Sequence, residues 1–154
     1  RERQNLPHEL EEVERKRWGY SVVLDKRQPE VRDTLCALAA PEALPALVHC
    51  AGGADRTGLI TALVLGIAGV PAETIAQDYT LTARFNLPRY LDSHPEIDAA
   101  TYTWQDFQRD TCDPGVMLGV LRDLNLRHCG VEGYLLDSGV SPAEITALRG
   151  ALIE

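Results

Sequence analysis

One stretch of this chain places a nucleophile, two adjacent glycines and an anion-gripping cation within ten residues: His49-Cys50-Ala51-Gly52-Gly53-Ala54-Asp55-Arg56-Thr57-Gly58. Glycines let a backbone curl until successive N–H groups point inward as an anion nest, and a helix opening near Arg56 adds free amides and the positive end of its dipole. A phosphate-sized oxyanion is the natural occupant of a nest built from Ala51, Gly52, Gly53, Ala54, Asp55 and Arg56. The same field favours a thiolate, drawing a cysteine from a reference pKa of about 8.5 into a range of about 3.5 to 7.5, where it is a nucleophile at neutral pH. Arg56 adds a planar fork of donors that can hold two phosphoryl oxygens while charge redistributes. Packing alone would make Cys50 a small buried hydrophobe and Arg56 a surface residue, yet packing has no need of this spacing.

Such a loop must be held between elements. Residues 46–49 (Ala-Leu-Val-His) form a short apolar run that predicts a buried strand ahead of Cys50. Behind it, residues 58–70 predict a buried helix closed by Gly69 and Pro71. Upstream, residues 18–24 (Trp-Gly-Tyr-Ser-Val-Val-Leu) are aromatic and β-branched, end at Asp25 and predict another strand. A helix from Pro29, with Val31, Leu35, Leu38 and Ala39 on one face, would join the two as a parallel βαβ crossover.

The remainder reads as helical. Ile75, Tyr79 and Phe85 suit a helix stopped by Pro88, Met117 to Leu124 one entered at Pro114, and Ser141-Pro-Ala-Glu144 is a capping box opening another. Residues 92–113 are the least regular; Tyr102, Trp104 and Phe107 there could lie over the pocket as a lid, with packing the simpler reading. At the start, Pro7, Leu10 and Val13 permit a short surface helix.

Composition bounds the function classes. A chain of 154 residues with 45% hydrophobic and 25% charged residues is expected to form one globular domain. Its 15 basic against 23 acidic residues leave a formal charge of −8, wrong for a broad nucleic-acid face, so any anion site must be local. The longest apolar stretch spans thirteen residues, short of the roughly 20 a membrane helix needs. Cys36, Cys50, Cys112 and Cys129 form no C-x-x-C pair, which argues for reduced thiols, no metal site and a cytoplasmic location. Residue 1 is Arg and the only methionine is Met117, so the expectation is an N-terminally truncated single domain over 1–154.

The spacing Cys-x5-Arg-Thr-Gly after a His resembles the phosphate loop of cysteine-dependent protein tyrosine phosphatases. Its Asp-Arg-Thr-Gly ending is most similar to the bacterial tyrosine/serine phosphatase branch, which shades into lipid phosphatases and reads His-Cys-x-Ala-Gly-Lys-Asp-Arg-Thr-Gly. The turn Gly69-Val70-Pro71, the stretch Asp78-Tyr79-Thr80-Leu81-Thr82 and the ending from Gly130 through Tyr134 and Gly139 to Glu144 look like that branch too. Two positions depart from it: Gly52 stands for Ala, and Ala54 for Lys. The lost cation should weaken attraction for multiply phosphorylated headgroups more than for a single phosphoester, favouring phosphopeptides over phosphoinositides.

The resemblance implies a three-layer α/β fold, a central parallel sheet flanked by helices with a helical C-terminal half, and further strands upstream of Arg1. It also implies a metal-independent phosphomonoester hydrolase, needing no cofactor, that acts on phosphorylated protein or peptide through a cysteinyl phosphate. Cys50 would attack, Arg56 clamp, Thr57 stabilise the departing thiolate and His49 support it from beside the loop. The proton for the leaving group would come from Asp25, ahead of the loop, or from Asp55, within it. A weak phosphoryl-binding module, a phosphoinositide phosphatase and a sulfurtransferase are the rival readings.

Overall fold

The computed structural model of the protein describes residues 12–153. The apolar stretch after the loop does become a helix, α3 (Asp55–Ile67), which buries Leu59, Ala62, Leu63 and Ile67. Around it stand α1 (Glu12–Lys26), α2 (Gln28–Ala39), α4 (Ala72–Ser93), α5 (Trp104–Thr111), α6 (Pro114–His128), α7 (Val131–Asp137) and α8 (Pro142–Ile153). α3 packs against α2, α4, α7 and α8, while α6 packs against α1, α4 and α7. Between them lies one core, with Leu24, Leu35, Leu63, Met117, Tyr134 and Leu135 almost wholly withdrawn from water.

The expected α/β fold is overturned: among the described residues there is no strand and no sheet. Residues 18–24, read as a strand, lie inside α1. Their burial follows a helical period, since Tyr20 and Leu24, four apart, are buried while Val22 and Val23 are only half-buried. Packing of that stripe against α6 overrides the β preference of the residue types. Residues 46–49 have no regular structure either, and Leu47 is 88% exposed, so the apolar run is not a buried strand. Without a first strand there is no βαβ crossover.

Other expectations hold more closely. α2 starts with proline in its first turn and buries Val31 and Leu35. α8 opens with the capping box: Glu144 N–H donates to Ser141 Oγ at 3.2 Å, and Ser141 N–H to Glu144 Oε2 at 2.8 Å. α4, however, runs through Pro88 to Ser93 instead of stopping. Proline leaves the carbonyl four residues back without its helical donor; Arg84 and Pro88 both face solvent, where water can replace it. Within 92–113, α5 packs on α4, and Phe107 is buried with its ring 4.6 Å from that of Tyr90, so this aromatic is a packing residue. Pro7 and Leu10, read as part of a short surface helix, lie outside the described residues. No helix among those residues is long and apolar enough to cross a membrane.

Candidate active site

The loop from Cys50 to Ala54 leads directly into the first turn of α3. Gly53 takes φ +70°, a left-handed conformation that strains any side chain but costs glycine nothing. Gly52 has no such φ, and a Cβ there would meet nothing within 4 Å, so alanine fits at that position too.

Two side chains of α4 set the orientation of the loop peptides. Asn86 Nδ2 donates to the Gly52 carbonyl at 2.7 Å, and Thr82 Oγ1 donates to the Gly53 carbonyl at 3.5 Å. In a trans peptide the N–H points opposite the carbonyl. Turning the Gly52 carbonyl toward α4 therefore turns the Gly53 N–H the other way, toward Cys50.

The electrostatics of the thiol show the result. Burial pushes the Cys50 pKa up, but the Thr57 hydroxyl and the backbone N–H groups of Thr57, Gly52 and Gly53 outweigh it, and the net effect lowers it from 9.0 to about 7. Thr57 Oγ1 is buried without a hydrogen-bond partner of ordinary geometry. A thiolate at Cys50 gives that hydroxyl a charged acceptor, which a neutral thiol does poorly.

Arg56 and Asp55 are exposed at the start of α3, and His49 is exposed one residue before Cys50. The Asp55 carboxylate is tied to α1: Tyr20 Oη donates to its Oδ1 at 2.5 Å, and Lys16 Nζ lies 3.5 Å from the same oxygen. Tyr20 Oη is also 3.0 Å from Tyr79 Oη. Since the single Tyr20 proton goes to Asp55, Tyr79 must be the donor in that pair, making a relay Tyr79 to Tyr20 to Asp55.

Asp25 is not brought to the loop. Its carboxylate accepts from Arg127 Nη2 at 2.7 Å, at the C-terminal end of α1. Cys36, Cys112 and Cys129 are free thiols, as is Cys50. Behind the loop, α3 and α4 enclose a cavity of about 310 Å³, lined by Gly53, Thr57, Gly58, Asp78 and Thr82, with Phe85, 77% exposed, beside it.

Asn86, Tyr20 and Lys16 were not visible as site residues in the sequence. Lys16 and Tyr20 share a face only because they are four apart on a helix, a relation hidden while residues 18–24 read as a strand. A thiolate-favouring sulfur facing the Thr57 hydroxyl and three loop amides can bind a tetrahedral oxyanion and attack its central atom, with Arg56 exposed in the first turn of the helix behind it.

The sequence matches the model of the tyrosine phosphatase family over residues 1–154. The chain belongs to the tyrosine phosphatase family. Among relatives of this tyrosine phosphatase family chain, a tyrosine-protein phosphatase of Nostoc commune is 33% identical over 137 residues, covering 85% of this chain and 47% of that protein. The triple specificity protein phosphatase PtpB of Mycobacterium tuberculosis is 30% identical over 127 residues, covering 71% of this chain and 44% of that protein. The chain thus spans under half the length of these two phosphatases.

Proposed function

We propose that this chain carries the catalytic centre of a protein tyrosine phosphatase, a cysteine-dependent phosphomonoester hydrolase. The observation that carries this reading is the loop geometry: Gly53 at φ +70° and the Asn86 bond to the Gly52 carbonyl turn loop amides toward Cys50 just ahead of α3, an arrangement that favours its thiolate against the effect of burial. In the first step the Cys50 thiolate attacks phosphorus, the S–P bond forms and the P–O bond to the leaving group breaks. Arg56 and the N–H groups of residues 51–56 hold the three equatorial oxygens, and Asp55 gives its proton to the departing alkoxide or phenolate. In the second step water attacks phosphorus, one of its protons returns to Asp55, and the S–P bond breaks to restore the thiolate and release phosphate. No step calls for a metal ion or an organic cofactor.

The substrate class is phosphorylated protein or peptide, with phosphotyrosine first and phosphoserine second. Family membership and the names of the two relatives support it, and the word "triple" in one of them argues for breadth. Ala54 supplies no rim cation, which favours single phosphoesters over phosphoinositides.

The test is hydrolysis of p-nitrophenyl phosphate and of a phosphotyrosine peptide by the full-length protein and its Cys50→Ser variant. A fall in kcat of about 10⁴-fold or more, with loss of the phosphoryl label trapped on Cys50, is expected. Equal rates in the two proteins, or no turnover in either, would overturn the reading.

A further inference from the structure

We propose that Tyr20 is a positioning residue that fixes which oxygen of Asp55 works on the leaving group. The proposal rests on the reading of Asp55 as proton donor. Both ties from α1 fall on one atom: Tyr20 Oη donates to Asp55 Oδ1 at 2.5 Å, and Lys16 Nζ stands 3.5 Å from it. An oxygen already accepting a hydrogen bond and facing a cation is the poorer site for a proton, so the acid proton sits on Oδ2. The Asp55 side chain is 63% exposed, so nothing else packs that carboxylate into one rotamer. Free rotation would carry the proton away from the leaving oxygen for part of the time, and pinning Oδ1 removes that loss.

The surroundings of Tyr20 suit a fixed donor. The residue is 6% exposed, its ring meets that of Tyr79 edge-on at 6.3 Å, and Tyr79 Oη holds its oxygen from behind. Burial first, then Tyr79 and Asp55, push its phenol far above the ordinary range, so it stays protonated and donating. When Asp55 has given its proton away, the new carboxylate meets a donor and the Lys16 ammonium without reorganisation. Lys16 itself is anchored on the Thr111 carbonyl and lies 5.7 Å from the centre of the Tyr20 ring.

The experiment is a comparison of leaving groups in the full-length protein. For Tyr20→Phe, kcat on an alkyl phosphate should fall about 10-fold, while on p-nitrophenyl phosphate, whose phenolate leaves unaided, it should fall less than about 3-fold, with KM unchanged. Asp55→Asn should show the same selectivity more steeply, and the double variant should be no worse than Asp55→Asn alone. An alkylation rate of Cys50 equal to wild type shows that the loop of the Tyr20→Phe protein is intact; if that protein does not fold, Lys16→Met carries the same comparison. Equal losses on the two esters for the α1 variants, or an additive double variant, overturn the positioning role while leaving Asp55 as acid. A loss in Asp55→Asn that ignores the leaving group overturns the acid assignment, and the proposal with it.

Discussion

The side-chain amide of Asn86 donates to the Gly52 carbonyl at 2.7 Å, so a polar residue midway along α4 holds the peptide that aims the Gly53 N–H at Cys50. The orientation of the loop peptide thus depends on a helix residue more than thirty positions downstream of Cys50. Asn86→Ala leaves that carbonyl free to turn and the amide free to swing off the sulfur. The expected outcome is a higher Cys50 pKa, read from the pH dependence of iodoacetamide alkylation, and a KM for p-nitrophenyl phosphate raised by about 3- to 10-fold, the worth of one hydrogen bond.

Alkylation of Cys50 in the wild-type protein should titrate near pH 7, and in Thr57→Val at a higher pH, because the hydroxyl that favours the thiolate is gone. The same shift links to stability. A pKa lowered on folding from 9.0 to about 7 favours the folded state fully above pH 9, and that contribution shrinks as pH falls and is gone below 7. Urea midpoints of wild type and Cys50→Ala, measured from pH 9.5 to 6, should therefore differ most in wild type's favour at about pH 9.5 and converge toward pH 6. A constant difference across that range would remove the thiolate from the folded site.

Gly58 is required by close approach, since a Cβ there would sit 2.9 Å from Cδ2 of the Tyr79 ring and 3.8 Å from Met117 Cε. Gly58→Ala gains about 1 kcal/mol of helix propensity but overpacks a buried contact at a cost of about 1–3 kcal/mol. The net expectation is a lower urea midpoint. Because Tyr79 backs the Tyr20 hydroxyl, kcat should fall as well, more for alkyl than for aryl phosphates.

Asp25→Asn separates the two acid candidates. The pair of Asp25 with Arg127 has side chains 39% and 47% exposed, where an ion pair contributes about 0–1 kcal/mol. Stability should scarcely move and kcat should stay at the wild-type value, whereas Asp55→Asn loses kcat. A large loss in Asp25→Asn would return that residue to the site.

The loop and the helix that follows it were legible because they are local. Cys50, Gly53, Arg56 and Thr57 lie within one loop and one helical turn, where residue type and spacing constrain geometry over distances the backbone itself sets. Helices with strong boundary signals were legible for the same reason: Pro142 after Ser141 marks α8, and Pro114 marks α6. The first strand failed because Trp-Gly-Tyr-Ser-Val-Val-Leu carries β-favouring residue types, while the stripe made by Tyr20 and Leu24 becomes decisive only when α6 is there to cover it.

By itself, then, the sequence determined the glycine-bearing loop between Cys50 and Arg56 and the helix behind it, since both are consequences of short-range backbone geometry. Only the tertiary structure gave the two aspartates different partners. It carried Asp25 to Arg127 and surrounded Asp55 Oδ1 with Tyr20 and Lys16, and it supplied Asn86 to turn the loop peptide. Those contacts join residues 34 to 102 positions apart, and no local propensity encodes them; they follow from which helix faces are buried together.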